Sequence, residues 1–111
     1  MVSPARAAVV PVRFPFSDLS QAKLRPAVIL ADAGRGDWLL CQVTSNPLSD
    51  SAAIPITVSD FASGTLRPDS YARPAKLFTA NLSVMVGHAG VLKAESFERI
   101  VEAVVSLLRA K

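Results

Sequence analysis

Arg25 and Arg67 each stand directly before a proline. The residue before proline is pushed out of the α region into extended backbone, so each guanidinium is carried on a restrained segment. Lys23 lies two residues before Arg25 and falls on the same side of an extended chain. Two cations on one side of a loop end make a phosphate-binding edge, because guanidinium and ammonium groups pair with phosphate oxygens. The same residues also describe a solvated turn with two ordinary surface charges. Thr44-Ser45 closes an apolar run. A hydroxyl there either orients a phosphate or an attacking group, or satisfies backbone groups of the next turn. Asp69 follows Arg67 by two residues, with Arg73 and Lys76 nearby. A carboxylate among cations stays ionised and can accept a proton or hold an arginine in place. It equally makes a weak surface ion pair.

Other groups carry less information. His88, the only histidine, lies between Gly87 and Gly90. Imidazole is the usual acid/base group near neutral pH, and at a junction it also serves as a surface or capping residue. Cys41 alternates with Leu39 and Val43 and reads as core filler. Trp38 and Tyr71 either stack on bases or anchor the packing.

The chain that must position these groups has 111 residues, the size of one domain spanning 1–111, and half of it is hydrophobic. A net charge of +3 permits a polyanionic partner without demanding one. One cysteine excludes an intramolecular disulfide, and no Cys/His set has zinc spacing. The reading is a reducing, cytoplasmic setting with no cofactor and no metal. No apolar run reaches the roughly 18 residues of a membrane span, and the proline-broken N-terminus lacks the smooth apolar core of a signal peptide.

Alternation predicts a half-buried strand over 9–16, with Val10, Val12, Phe14 and Phe16 on one face. Pro11 and Pro15 lack an N–H, so this strand lies at an edge or pairs through other positions. Residues 17–24 read as a loop and 27–31 as a short apolar strand. Residues 33–37 form a turn, and 38–44 a strand with Trp38, Leu40, Gln42 and Thr44 on one face. Ile54, Ile56 and Val58 line a fourth strand. Residues 59–68 read as a connection, 70–79 as a bent strand interrupted by Pro74, and 84–86 as a short strand. From Lys93 onward Phe97, Ile100, Val101, Val104, Val105 and Leu108 recur at the spacing of one helix face, and Glu95 is placed to pair with Arg99. The fold class expected is mainly β: a small barrel of strongly curved antiparallel sheet with a C-terminal helix packed at its end.

The run V-P-V-R-F-P-F-S-D-L-S-x-x-K-L-R-P-A-V-I-L, then G-D-W-L-L-C-Q-V-T-S, then G-T-L-R-P-D-S-Y-A-R-P-A-K-L-F-T resembles the MazF/PemK family of toxin endoribonucleases. The resemblance extends from about Val9 to Leu108. It implies an SH3-like barrel, usually a homodimer, that cuts single-stranded RNA without a metal. It also implies a cognate antitoxin that holds the toxin inactive and, through the antitoxin complex, operator DNA as a further partner. The family's R-P arginine falls on Arg25 and its third-strand threonine on Thr44. A looser R-x-D match falls on Arg67 and Asp69. Lys23, Ser45, Arg73, Lys76 and Ser17 would then hold flanking RNA. The chain departs from the family at residues 5–8, where Gly-Asp is common, and around Gln21-Ala22, where a glycine is common. A first-loop histidine that some members use is absent.

The chemistry this implies uses the RNA's own 2′-OH as nucleophile, giving a 2′,3′-cyclic phosphate and a 5′-OH end. Arg25 would stabilise the phosphate's developing charge, and Thr44 would orient the phosphate or the 2′-OH. Asp69 is a candidate base, and Arg67 would assist the leaving oxygen electrostatically. Two other readings share the sequence: a CcdB-type protein-binding toxin acting as a gyrase inhibitor, and a non-catalytic nucleic-acid-binding barrel.

Overall fold

The computed structural model describes residues 5–15, 22–47, 51–66 and 69–110; of 14, 15, 22 and 23 only the backbone is described. The strands are β1 (Ala8–Pro15), β2 (Ala22–Gly34), β3 (Asp37–Thr44), β4 (Ile54–Ile56), β5 (Phe61–Gly64), β6 (Ser70–Asn81) and β7 (Gly90–Leu92), followed by helix α1 (Ala94–Arg109). They form one sheet in the order β4-β6-β3-β2-β1-β7-β5. Every pairing is antiparallel. The two edge strands, β4 and β5, are neighbours in the chain, joined through a single 3-10 turn at Val58–Asp60. A sheet whose edges are tied by so short a connection has to curl back on itself. The result is a half-barrel, mainly β, with a C-terminal helix, as the sequence leads one to expect.

Two apolar clusters lie on opposite faces of this sheet. The larger draws on all seven strands: Val9, Val28, Leu30, Cys41, Val43, Ile56, Phe61, Ala72 and Leu92 meet Phe97, Ile100 and Val104 of the helix. The smaller holds Ala8, Val10, Val12, Ala27, Ile29 and Leu40, flanked by Trp38, Phe78 and Met85. Burying each large aliphatic side chain contributes about 1.5–3 kcal/mol. β1 is therefore covered on both faces, not half-buried, and it lies between β2 and β7 rather than at an edge. Its prolines fit because of register. Pro11 sits opposite Pro26, and the Pro11 carbonyl turns away from β2 to accept from Val86 N at 2.8 Å. That pair exchanges no hydrogen bond across β1–β2, so neither missing N–H weakens that ladder.

Several sequence expectations need correction. β2 runs from Ala22 to Gly34, well beyond the apolar stretch, because its start pairs with residues 12–15 of β1 and its end with Trp38 and Asp37 of β3. β6 is one strand, and its pairing with β3 is interrupted around Pro74 as expected. Residues 59–68 contain β5, whose four residues are too few to alternate visibly. Leu82–Val84 is a 3-10 turn, and the strand lies later, at β7. Val58 is in the 3-10 turn and 60% exposed, off the face of Ile54 and Ile56. Leu108 is 73% exposed because α1 outruns the sheet beneath it.

Arg99 reaches Asp60, not Glu95, among the ion pairs described. The Asp60 carboxylate accepts from Thr57 N at 2.7 Å, Ser96 Oγ at 2.8 Å and Arg99 Nη2 at 2.7 Å, while its carbonyl accepts from Lys93 N at 2.9 Å. One residue thus joins the β4–β5 connection to the start of α1. Nearby, Gly64 pairs with Gly90. A Cβ on Gly64 would lie 2.2 Å from the Ala89 carbonyl oxygen, and one on Gly90 2.5 Å from that of Ser63. β5 and β7 can approach this closely only without side chains there.

Burial of Asp60 pushes its carboxyl up. The Thr57 N–H, Arg99, Ser96 and the Thr57 hydroxyl outweigh that and hold it down, from an ordinary 3.8 to about 2. A carboxyl whose folded value lies below its unfolded one stabilises the fold fully above the unfolded value. That contribution fades as pH falls through the window between 3.8 and about 2. Asp60→Asn is expected to cost about 2 kcal/mol at pH 7. The gap between wild type and variant should close toward pH 2, as read by urea unfolding at both pH values; a gap independent of pH would refute the assignment. A second expectation concerns Cys41, fully buried with Sγ 3.1 Å from the Arg73 carbonyl. Its thiol should react with an aromatic disulfide reagent only after unfolding, and rapid labelling of native protein would contradict this.

Candidate functional site

Pairing of β2 with β3 ends at Ala27↔Gln42. The next β2 residue, Pro26, turns its backbone toward β3 but has no N–H with which to extend the ladder. Two residues beyond the last pair, on the same face, stand Arg25, within β2, and Thr44, the last residue of β3. Arg25 sits opposite Val12 on β1, and Thr44 opposite Tyr71 on β6. Paired residues share a face, and residues two apart in a strand share it too. Arg25, Gln42, Thr44 and Tyr71 therefore all lie on the face of Ala27, Val12 and Leu40, turned away from the helix. All four side chains are half-buried.

β6 contributes an irregularity next to them. Its pairing with β3 jumps from Cys41↔Leu77 to Val43↔Ala72. Four residues, Arg73, Pro74, Ala75 and Lys76, thus lie opposite the single residue Gln42. Ala72 and Leu77 both pack toward the helix side although five positions separate them, so alternation slips once within the bulge. Bulges re-aim side chains and open a ladder locally. Here Pro74 is fully buried and the Cys41 thiol holds the Arg73 carbonyl. Lys76 is exposed, and by alternation with Phe78 and Ala80 it emerges on the face of Arg25.

The Thr44 hydroxyl oxygen accepts from Asn46 N at 3.1 Å. It therefore does satisfy the following turn, and its own hydrogen remains available to donate. Ser45 is exposed just past the strand end, and Asp69 is exposed two residues before Tyr71. Lys23 lies in β2 opposite Phe14. Ser17 and Arg67 lie outside the described residues. The structure thus brings Arg25, Thr44 and Tyr71 into one row and sets Arg73 and Lys76 in the bulge beside it.

His88 is exposed in the stretch that hydrogen-bonds to β1 through Val86 and Ala89. It lies beyond β1 from β3 and β6 and does not join the row. Cys41 is core, as expected, and Trp38 packs against the smaller cluster. Gln42 is the residue that a search for ionisable groups passes over; the alternation of Trp38, Leu40, Gln42 and Thr44 was its signal. Among the described residues no group of three or more His, Cys, Asp or Glu is placed to hold a metal, and no helix is long and apolar enough to cross a membrane. A separate groove of about 560 Å³ lies between Ile54 and the solvent face of α1, where Glu95, Glu98, Arg99 and Glu102 line it.

Comparison with known proteins agrees with this architecture. No curated protein sequence matches the chain. Solved structures match along almost its whole length. An endoribonuclease in complex with its cognate antitoxin, from a mycobacterial species, superposes with a TM-score of 0.76 at 14% identity, covering 98% of each chain. The MazE–MazF complex of Deinococcus radiodurans in its second crystal form gives 0.76 at 18% identity over 97% of each chain. Toxin MazF-mt6 of Mycobacterium tuberculosis gives 0.71 at 15% identity, covering 94% of this chain and 98% of that one. At such identities the likeness speaks for the fold. The sequence itself matches, over residues 5–108, the model of the PemK-like, MazF-like toxins of type II toxin–antitoxin systems. The chain belongs to that family.

Proposed function

We propose that this toxin is a metal-independent endoribonuclease that cuts single-stranded RNA at the Arg25–Thr44 face. The observation that carries the reading is a guanidinium and a hydroxyl on one face of neighbouring strands, just past the point where Pro26 stops the β2–β3 ladder. Support also comes from the endoribonuclease and antitoxin named among the similar structures.

The strand's own 2′-OH loses its proton and attacks the adjacent 3′-phosphate in line. The P–O5′ bond breaks, the products are a 2′,3′-cyclic phosphate and a 5′-OH end, and the leaving oxygen takes up a proton. Because the nucleophile belongs to the substrate, no metal-generated hydroxide is required. Arg25 binds the scissile phosphate and stabilises the charge that builds on it. Thr44 donates its hydroxyl hydrogen to that phosphate or positions the 2′-OH. Asp69 is the proposed base, or the residue that positions an arginine. Arg67 assists the leaving oxygen electrostatically, since its high pKa makes it a poor proton donor. Lys23, Ser17, Ser45, Arg73 and Lys76 hold flanking nucleotides. Single-stranded substrate fits because two nucleotides must splay into line, which helical RNA resists.

The toxin proposed here is one domain over 1–111 and a homodimer in the cytoplasm, with a cognate antitoxin that covers this face and operator DNA bound through the antitoxin complex.

Arg25→Ala should lower cleavage of a single-stranded RNA by about 10²–10³-fold, the usual cost of removing one transition-state donor, with its thermal midpoint near that of wild type. Cleavage at the wild-type rate would remove Arg25 from the chemistry. Chelation with EDTA should leave the rate unchanged and the ends cyclic; loss of activity that added divalent metal restores would refute the metal-free mechanism. Intact RNA with a gel shift would instead identify a non-catalytic binder.

A further inference from the structure

We propose that Gln42 and Tyr71 form a base-reading subsite for one nucleotide flanking the phosphate held by Arg25 and Thr44. The proposal rests on that face being the RNA site. Tyr71 is paired directly with Thr44, which sets such side chains about 5 Å apart at Cβ. Gln42 is two residues before Thr44 on the same face and so diagonal to Tyr71, at about 7–8 Å. That separation suits one nucleobase: its flat face lies on the tyrosine ring while its edge meets the carboxamide.

Three observations select these two residues. The bulge sets four residues of β6 opposite Gln42 alone, so no single β6 side chain is paired with it, and its partner on β2 is the small Ala27. Both side chains are half-buried, which fixes them while leaving a surface to bind. Among the described residues neither the Gln42 carboxamide nor the Tyr71 hydroxyl takes part in a hydrogen bond, so the amide's donor and acceptor are unspent. A carboxamide presents one donor beside one acceptor and discriminates base edges that match that order. A tyrosine ring stacks on any base and supplies affinity without selection. Phosphate contacts position the strand and carry no sequence information, so Arg25, Lys76 and Thr44 cannot supply the selection themselves.

The test uses the full chain in two assays. In the first, a pool of single-stranded RNAs randomised over five nucleotides is cut and the ends are sequenced. Gln42→Ala should reduce the preference at one position next to the scissile bond by about tenfold, while preferences elsewhere persist. In the second, a fully 2′-O-methylated RNA that cannot be cut carries 2-aminopurine at that position. Tyr71→Ala should weaken binding by about tenfold and abolish the fluorescence quench; Tyr71→Phe, which keeps the ring, should recover both. Thermal midpoints check that each variant is folded. Unchanged preferences in Gln42→Ala together with undiminished quenching in Tyr71→Ala would overturn the subsite, as would a wild-type protein that binds no uncuttable RNA. A wild type that cuts nothing, yet shows a quench lost in Tyr71→Ala, would support the subsite and sink the nuclease reading.

Discussion

Asp60 ties the β4–β5 connection to the start of α1, and the curl of the sheet depends on it. β4 and β5 are the two edges of the sheet and also consecutive elements of the chain. The turn between them must therefore be held while the helix arrives from a distant part of the sequence. Asp60 does both, fixing its own turn through Thr57 and the helix through Ser96, Arg99 and Lys93. A carboxylate this enclosed costs several kcal/mol to desolvate unless hydrogen bonds replace the lost water. Here they do, and they hold the carboxyl below its ordinary value despite the burial. The helix then seats Phe97, Ile100 and Val104 in the larger cluster.

The opposite face is built by omission. Proline lacks the N–H that a ladder needs, and the chain uses that lack twice. Where Pro11 meets Pro26 the missing groups cost the β1–β2 ladder nothing. Where Pro26 faces β3 the missing group ends the ladder, and Arg25 and Thr44 stand at the gap. Pro74 acts differently: buried within a four-residue bulge, it fixes a slip in alternation that turns Lys76 toward Arg25's face. Together the interruptions place cations and hydroxyls where an uninterrupted sheet would have placed only a ladder.

Much of this was legible in the sequence, and the failures have physical causes. Long elements with strong periodicity, β1, β3 and α1, showed through. The three-residue strands β4 and β7 and the four-residue β5 did not read cleanly, because so few positions cannot establish a period. Val58 and Leu108 continued an apolar pattern past the point where the chain stopped following it. The glutamate four residues from Arg99 suggested a local pair, yet Asp60 wins because its carboxylate is better enclosed and already oriented. Thr44 and Arg25 were visible as types, whereas their neighbourhood is a property of register, set by contacts between residues far apart in sequence. Gln42 and Tyr71 carry no charge to attract notice; only the bulge and the pairing bring them beside the strand ends.

The smaller apolar cluster gives the site its electrostatic character. Arg25 stands across from Val12 and two residues from Ala27, both essentially without solvent contact. A guanidinium with an apolar floor on one side is less screened than one in open water, so its attraction for a phosphate is stronger at equal distance. That floor must exist without help from the helix, which is committed to the other face. Small residues make this possible: Ala8 and Ala27 leave room for Val12, Ile29 and Leu40 to pack from three strands with Trp38, Phe78 and Met85 at the margin. Stability that comes from the helix side and charge that is exposed on the other can then vary separately. A loop or strand end can change what it binds without disturbing the carboxylate that closes the sheet.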